Sequence, residues 1–287
     1  MDEELDIVGN WTEIKLNILE EYAKAYARIL SNQGVIKRYD YIDAFAGAGA
    51  VVSKATGEVL PGSSALALEI KPRFSHYHLI EMDKLRAGRL RDLSSGRKDV
   101  TVYEGDCNSI LISDVFPKCR YEDYRRALCI LDPYELNPEW EVVETAGHLG
   151  SIEIFLNFMI MDANRNMLLI NPEAAKPDQI ARMDRFWGDD SWRSAAYESC
   201  RGLFGDMIEK KTNDAVIQAY KKRLKEKAGF DYVPDPIPMK NIRGAAVYYL
   251  FFASNNKTGY KIAKEPVARI PSPRQSEYAI LRAEERR

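Results

Sequence analysis

Six short apolar segments recur along this chain, and the lengths of the intervals between them constrain the fold more than any other feature. The segments are YDYIDAF (39–45), YHLIEM (77–82), VTVYEG (100–105), ALCILD (127–132), IEIFLNFMI (152–160) and AAVYYLFFA (245–253). Each has the length of one strand and is apolar on both faces, and the intervals can hold helices. This pattern predicts a doubly wound α/β fold, in which helices cover both sides of a mostly parallel sheet.

The interval between the fifth and sixth segments is much longer than the others. It shows no strand pattern and instead reads as helical in DQIARMDRFWG, SWRSAAYESCRGLFG and DMIEKKTNDAVIQAYKKRLKEKAGF. A structureless loop of this length is rare inside a compact domain. We therefore expect a Rossmann-like domain made of residues 1–162 and 241–287, with a helical insertion subdomain, residues 163–240, between the fifth and sixth strands.

Composition argues against several classes of protein. No apolar run approaches the roughly 20 residues of a membrane-spanning helix, and the acidic start MDEELDIVGNW does not resemble a signal peptide. We expect a cytoplasmic protein with no membrane association. The four cysteines are scattered without a C-x-x-C pair, and His76 and His78 lack a third ligand, so no metal site is predicted. The net charge of −2 argues against a wholly basic surface.

The first apolar segment runs into a turn of small residues, YIDAFAGAGA at residues 41–50. In a doubly wound sheet, the turn after the first strand contacts the ligand. Gly47 and Gly49 would let the backbone approach a ligand where a Cβ would collide, and Asp43 and Phe45 lie on the same approach. The alternative is that the glycines only form a tight turn between a strand and a helix.

The spacing after this turn argues against two common nucleotide sites. A dinucleotide fingerprint has a third glycine and an acid about 20 residues further on. Here the third glycine position is Val52, and the next strand-ending acid, Glu81, lies 32 residues after Gly49. No G-K-[ST] follows, so a P-loop is not indicated either. An NAD-linked enzyme remains a weak alternative.

Acids at the ends of the second and third strands predict S-adenosylmethionine as the cofactor. Its ribose carries two hydroxyls that Glu81 could accept, and its adenine amine could donate to Asp106, beside Cys107. The glycine turn would pass beneath the amino-acid end, where Asp43 could balance the cationic groups. Each acid could instead cap a helix, as we expect of Asp83. Signals at three successive strand ends favour the cofactor site.

The fourth segment ends in Asp132-Pro133-Tyr134. This element resembles the Asp/Asn-Pro-Pro-Tyr motif of methyltransferases that act on exocyclic amines. The resemblance implies that Asp132 and a backbone carbonyl accept hydrogen bonds from the target nitrogen while Tyr134 stacks on the base. The second proline is missing here, which moves Tyr134 one place forward and leaves Asp132 as the stronger candidate. A strand-ending turn without catalytic function is the alternative.

Several motifs in order resemble one family. EIKLNILEEYAKAYARIL, YIDAFAGAGA, PGSSALAL, YHLIEMD, LDPYELN and LNFMIMDANRN are similar to segments of the three-Cys-motif partner proteins, a prokaryotic family that resembles class I methyltransferases. The resemblance covers about residues 15–166 and returns over 246–264. It implies a methyltransferase-like fold, an S-adenosylmethionine pocket and a protein partner that carries the three-Cys motif.

Two further segments are candidates for substrate binding. Asn164 and Arg165, after the fifth strand, would face the same crevice, and Arg165 could clamp a phosphate or carboxylate or simply pair with an acid. The insertion combines a basic helix with aromatic residues and could receive nucleic acid, although a solvated helix face explains the charges as well. These residues are Trp187, Trp192, Tyr197, Lys221, Lys222, Arg223, Lys225 and Lys227.

We therefore expect an S-adenosylmethionine-dependent methyltransferase in which Asp132 orients an amine, which could belong to a nucleic-acid base. A protein of a different class is the alternative: a non-catalytic scaffold that keeps the fold and serves its three-Cys-motif partner.

Overall fold

The structure, a computed structural model, describes residues 5–202, 205–241 and 243–269. Its strands are β1 (Ile7–Val8), β2 (Arg38–Asp43), β3 (Ala50–Ser53), β4 (Val59–Pro61), β5 (His76–Glu81), β6 (Val100–Glu104), β7 (Arg125–Leu131), β8 (Ile152–Phe158), β9 (Tyr197–Gly202), β10 (Gly205–Lys210), β11 (Ile237–Lys240) and β12 (Ala246–Ala253). Its helices are α1 (Asn10–Ser31), α2 (Ser63–Glu69), α3 (Lys84–Leu93), α4 (Cys107–Ile110), α5 (Trp140–Leu149), α6 (Ile160–Asn166), α7 (Pro177–Trp187), α8 (Trp192–Ala196), α9 (Asn213–Glu226) and α10 (Lys257–Arg269).

Seven strands form one large sheet in the order β11-β12-β8-β7-β2-β5-β6. Neighbouring strands from β8 to β6 pair in parallel, whereas β12 is antiparallel to both β8 and β11. The predicted α/β fold with a large sheet is therefore confirmed. Strand order reverses between β2 and β7, and ligands of such sheets bind outside the carboxyl ends of the strands at this point.

Alternate residues of the central strands belong to two separate cores. Ile42 of β2 packs in one core with Val143 of α5 and Tyr220 of α9. Tyr41, its neighbour, packs in the other core with Tyr22 of α1. Successive side chains of a strand point to opposite faces. Burial on both faces explains why these segments are apolar throughout.

The edge of the sheet beyond β8 differs from the prediction. The segment expected to be the sixth strand of a mostly parallel sheet is β12, which is antiparallel and lies between β8 and a further strand, β11. The sequence VPDPIPMK suggested only an extended return to the sheet, because prolines weaken a strand pattern. Proline is nevertheless tolerated on an edge strand, where a missing donor breaks no ladder, and β11 is such an edge.

The segment 163–240 is not wholly helical, which corrects the expectation of a helical insertion. β9 and β10 form an antiparallel hairpin where two helices were expected, and only α8 remains helical in that stretch. The following helix, α9, begins at Asn213, with Thr212 as its cap. Gly202 and Gly205 end the two strands, and glycine favours turns over helix interiors. Residues 270–287 of the predicted domain lie outside the described part of the chain.

A buried carboxyl group joins the sheet to two helices. Glu153 of β8 is only 5% exposed and accepts a hydrogen bond from the Tyr22 hydroxyl of α1. A Cβ on Gly259 of α10 would lie 2.7 Å from Glu153 Oε1, so this helix packs closely on the carboxyl. Burial raises the pKa of Glu153 from 4.5 to about 7, and the Tyr22 hydrogen bond opposes this shift.

We expect Glu153 to make stability depend on pH. Its pKa is higher in the folded state, so its stabilisation is complete below about pH 4.5 and is lost as the pH rises through about 7. As the pH rises from 4.5 to above 7, the unfolding free energy of Glu153→Gln should therefore increase by roughly 3 kcal/mol relative to that of wild type. Urea denaturation at pH 4.5 and pH 8 measures the change, with the exposed α1 variant Glu21→Gln as control. A pH-independent difference between wild type and Glu153→Gln would contradict the expectation.

Candidate cofactor and acceptor site

Two cavities lie side by side at the carboxyl ends of the central strands, and Phe45 lines both. The larger cavity, about 330 Å³, is lined by α7 and by the segments after β2, β5, β6 and β7. The lining residues besides Phe45 are Ala44, Glu81, Met82, Gly105, Asp106, Cys107, Asn108, Leu136, Asn137, Glu139, Arg182 and Arg185. The smaller cavity, about 130 Å³, lies between the turns after β2 and β7 and the N-terminal segment. Its walls include Asp6, Trp11, Lys15, Gly47, Gly49, Asp132, Pro133, Tyr134, Asn157 and Tyr248.

The glycine turn after β2 needs its glycines for two different reasons. Both residues have positive φ, +63° at Gly47 and +78° at Gly49, which side chains rarely adopt. A Cβ on Gly49 would also lie 2.8 Å from the Leu93 side chain, whereas a Cβ on Gly47 would meet no protein atom within 4 Å. The space beside Gly47 is therefore open, as a ligand cradle requires.

The turn leads into a β-ribbon before it reaches a helix. Val52 lies in β3, and β4 follows before α2 begins at Ser63. The Gly62 backbone N–H donates to the Gly49 carbonyl at 2.9 Å, which brings the start of α2 back to the turn. A dinucleotide fingerprint would instead open directly onto its helix.

Asp43 lies beneath the turn and lines neither cavity. Its fully buried carboxylate accepts hydrogen bonds from the hydroxyls of Ser63, at 2.6 Å, and Ser64, at 3.0 Å. Burial raises the pKa of Asp43 to about 6, against the effect of these two hydrogen bonds. The side chain thus ties the start of α2 to the end of β2, and any effect on a cofactor would pass through the turn.

Four of the predicted cofactor residues, Phe45, Glu81, Asp106 and Cys107, line the larger cavity together. Glu81 accepts the backbone N–H of Gly47 at 2.9 Å on one oxygen and that of Asp83 at 2.8 Å on the other. Asp106 caps α4 by accepting the Ser109 N–H at 3.0 Å. Burial raises the pKa of the Cys107 thiol to about 12, so it is neutral. Each carboxylate oxygen keeps a further lone pair for a ligand.

Asp132 lies at the floor of the smaller cavity between two donors. Its carboxylate receives one hydrogen bond from the Lys15 ammonium and one from the Asn157 side-chain amide. Lys15, on α1, is 6% exposed, so this ion pair is largely shielded from water. Tyr134 is 63% exposed at the rim, and its hydroxyl donates to Asp6 at 2.6 Å.

Lys15 and Asn157 were not predicted as site residues, although both leave a signal in the sequence. Lys15 stands in the apolar stripe of α1, one helical turn before Leu19 and two before Tyr22, where a lysine is out of place. Asn157 interrupts the apolar segment IEIFLNFMI. A polar residue at a buried position needs an internal partner, and here both partners are the same carboxylate.

Helix α7 also contributes to the larger cavity, which the sequence did not predict. Arg182 and Arg185, one turn apart, reach its wall. Arg182 is held by Asp162, at 3.1 Å, and by Glu135. Arg185 lies 3.6 Å from Glu139. The segment 163–240 therefore takes part in the site.

Asn164 and Arg165 lie apart from both cavities. Asn164 accepts a hydrogen bond from Lys210 of β10 at 2.8 Å and donates to Asn213 of α9 at 3.1 Å. Arg165 is exposed to solvent. The buried face of α6, with Ile160 and Ala163, turns these two side chains toward the insertion and the surface.

The basic and aromatic residues of the insertion do not form a joint surface. Trp187, Trp192 and Tyr197 are at most 9% exposed, so their rings face the protein interior. The helix cations pair with acids: Lys221 with Asp235 at 2.6 Å, Arg223 with Asp189 at 2.8 Å, and Lys222 with Glu226 at 3.8 Å. This arrangement favours a solvated helix face over nucleic-acid binding there.

Among the described residues, no group of three His, Cys, Asp or Glu side chains is placed to hold a metal ion. Over the same ranges, no helix has the length and apolarity required to cross a membrane.

No family model and no curated protein matches the chain. Solved structures with similarity include a protein of Legionella pneumophila, at 12% identity and a TM-score of 0.43 over 88% of this chain and 91% of that one. A SAM-dependent methyltransferase of Leishmania major is 9% identical, with a TM-score of 0.38 over 83% and 72%. The methyltransferase CalH, in complex with SAH, is 13% identical, with a TM-score of 0.39 over 82% and 56%. Likeness at this level assigns neither a family nor a function to the chain.

We expect Lys15 and Asp132 to depend on each other for stability. Lys15→Met leaves a mostly buried carboxylate without its cation, which should cost roughly 3 kcal/mol of unfolding free energy. Adding Asp132→Asn to that variant should recover much of the loss, because no unpaired charge remains, with a coupling of about 1–3 kcal/mol. Urea denaturation of the four proteins measures the cycle. Lys24→Met, at an exposed position of α1, should cost less than about 1 kcal/mol, and strictly additive losses at Lys15 and Asp132 would contradict the expectation.

Proposed function

We propose that this protein is an S-adenosylmethionine-dependent methyltransferase that acts on an amine, with the adenosine part of the cofactor in the larger cavity and the acceptor in the smaller one, beside the glycine turn. One observation carries the proposal: the glycine turn lies between two adjoining cavities with complementary walls. Glu81 and Asp106 line one cavity, and Asp132 lines the other. Phe45, common to both, lies at the junction.

Strand order supports the proposal. Numbered by chain position within the large sheet, the strands run 3-2-1-4-5-7-6 from β6 to β11. This order differs from the doubly wound order 3-2-1-4-5-6 by one strand, the antiparallel β12, between the last two. Both cavities open beside β2 and β7, where the order reverses, which is where doubly wound sheets bind ligands.

The larger cavity suits the adenosine part of the cofactor. Glu81 would hold the ribose hydroxyls with the lone pairs that its two backbone hydrogen bonds leave free, and Asp106 would accept the adenine amine. The neutral Cys107 thiol and Met82, which is 69% exposed, would contact the base. The cavity volume lies at the lower end of the roughly 300–1,000 Å³ typical of ligand sites.

The arginines of α7 are compatible with a bound base. A planar guanidinium stacks well on an aromatic ring, so Arg182 or Arg185 could cover the adenine face. Their charges are already matched by Asp162, Glu135 and Glu139. The wall therefore offers flat cationic groups without a large excess of positive charge that would oppose a cationic cofactor.

The open space at Gly47 suits the amino-acid end of the cofactor, which when bound supplies a methyl group on a cationic sulfonium. The nearby Asp132 would accept a hydrogen bond from the acceptor amine and so aim its lone pair. It could also take the proton that the amine loses. Lys15 and Asn157 fix the plane of this carboxylate, and Trp11 and Tyr248 supply aromatic walls for a flat acceptor such as a nucleic-acid base.

A non-catalytic scaffold is the second candidate, and the Lys15–Asp132 ion pair favours it. A carboxylate that already binds an ammonium and an amide has less capacity to accept a substrate amine. Such a protein would keep the cofactor cavity and bind a three-Cys-motif partner, as the sequence resemblance implies. An NAD-linked enzyme is less favoured, because a β-ribbon follows the glycine turn.

Calorimetry with S-adenosylmethionine and S-adenosylhomocysteine tests the cofactor assignment. We expect wild type to bind both, and Glu81→Ala to bind at least tenfold more weakly because two charge-assisted hydrogen bonds are lost. Glu104→Ala is the matched control, since Glu104 lies opposite Glu81 in register and lines neither cavity.

The same measurement tests the glycine turn. Gly49→Val should also abolish binding, with Gly57→Ala, at another positive φ, as control for backbone strain. Absence of binding heat in wild type would refute the enzyme proposal at its first step.

Transfer of a tritiated methyl group to DNA, RNA and total cell protein tests the chemistry. We expect incorporation into one of these pools, with Asp132→Asn slower by roughly 100-fold because the charged acceptor of the amine hydrogen bond is gone. Cofactor affinity of that variant should stay within about threefold of wild type, because Asp132 lies in the other cavity. Asp114→Asn, at an exposed site, is the control. Cofactor binding without transfer to any pool would favour the scaffold.

A further inference from the structure

The edge of the sheet opposite the two cavities carries cationic and aromatic side chains. β2, β5 and β7 run parallel, so all three begin at this edge. We call it the basic edge and define it by the cations of the preceding loops and first strand residues: Lys37, Arg73, Lys118, Arg120, Arg125 and Arg126. It shares no residue with either cavity.

Backbone contacts hold these cations in one contiguous surface. The Lys37 backbone N–H donates to the carbonyl of Tyr124 at 3.0 Å, which joins the loops before β2 and β7. The Arg125 guanidinium donates to the Lys118 carbonyl at 2.9 Å. On the other side of β2, the Tyr39 hydroxyl donates to the Arg73 carbonyl at 2.9 Å.

Positive charge on the basic edge is only partly offset by its neighbours: Asp99 and the buried Glu153 interact electrostatically with Arg73 and Arg126, respectively. Within the described ranges, none of the six cations forms an ion pair with a carboxylate. Asp40 is buried and bound by Arg38 at 2.8 Å, and Asp99 is bound by Arg97 at 2.6 Å. Glu122 and Asp123 are the other acids of the loop. The chain as a whole has a net charge of −2, so this concentration of cations is local.

Two tyrosines lie among the cations with much of their rings exposed. Tyr121 is 54% exposed and Tyr124 is 45% exposed. The Arg126 guanidinium lies 3.7 Å from the Tyr121 ring centroid, and the Lys37 ammonium lies 5.2 Å from that of Tyr124. These cation–π contacts orient the rings at the surface and leave exposed ring area for a further stacking partner.

Backbone geometry at the same place is unusual. Among the described residues, Tyr124 is the one non-glycine residue with a positive φ, +58°. For a bulky side chain this conformation is strained, and strained residues concentrate at functional sites. In this conformation the Tyr124 ring stays partly exposed and lies beside Lys37.

We propose that the basic edge binds single-stranded nucleic acid, with phosphates on the six cations and bases stacked on Tyr121 and Tyr124. Cations that follow the backbone and aromatic rings that stack on bases are the two components of single-strand binding surfaces. An acidic peptide would use the charges but not the ring faces. This binding is independent of the cofactor site and does not rest on the proposed methyl transfer.

Fluorescence anisotropy with labelled 20-nucleotide oligo-U RNA and oligo-dT DNA tests the proposal. We expect a dissociation constant between about 10⁻⁶ and 10⁻⁴ M at 100 mM salt that weakens with added salt. Lys118→Glu combined with Arg120→Glu should weaken binding at least tenfold. Tyr121→Ala should weaken it roughly tenfold without changing the salt slope, because it removes stacking and not charge.

Lys222→Glu combined with Lys225→Glu is the matched control, since it makes the same change of charge on exposed cations of α9 and should leave binding unchanged. Circular dichroism checks that each variant is folded. Absence of binding by wild type, equal losses in both charge-reversal variants, or tighter binding to duplex than to single strands would overturn the proposal. So would binding to phosphatidylserine vesicles in the absence of nucleic-acid binding. Glu81→Ala, which should lose cofactor binding, should keep nucleic-acid binding and thereby separate this proposal from the methyltransferase.

Discussion

Both faces of the parallel strands are buried, so any polar side chain that points from them needs a partner inside the protein. Five such side chains are buried, and each has a partner. Asp43 holds the start of α2, Glu153 holds α1, and Asn157 holds the carboxylate that also receives Lys15. Asp40 and His78 bind each other across β2 and β5. The more accessible charged groups lie at the two ends of the strands. For this reason, the side chains that could bind a ligand are concentrated at the strand ends.

The pairing of Lys15 with Asp132 places opposite demands on the smaller cavity. It removes the cost of a buried charge and fixes the carboxylate in one orientation, which suits a group that must aim a substrate. It also uses lone pairs that a substrate amine would need. Whether the cavity can serve catalysis depends on how readily Asp132 accepts a third hydrogen bond, from a substrate amine, beside those from Lys15 and Asn157. The enzyme and scaffold proposals therefore differ at this one ion pair.

The sequence predicted the features that depend on local pattern and chain order. All six apolar segments are strands of the large sheet, and the acids Glu81, Asp106 and Asp132 could be placed because parallel strands end at one edge. β11 escaped prediction because its prolines weaken the strand pattern. Arg182 could not be assigned to the cavity, because only tertiary packing brings α7 over the turns after β5 and β6. Asn164 was predicted to face the crevice because it follows a strand. Its side chain points elsewhere because the buried face of α6 sets the orientation of that helix.

The two edges of the sheet are separated by the length of a strand. β7 spans seven residues between Arg125, at the basic edge, and Leu131, which adjoins Asp132. At about 3.3 Å per residue, the strand keeps the two edges roughly 20 Å apart. A polymer held at one edge therefore cannot touch the other with the same nucleotide, and any segment that reaches the cavities must lie several nucleotides away along its chain. If the acceptor proposed for the smaller cavity is a base of the same polymer, tethering at the basic edge would raise its local concentration there without selecting the nucleotide.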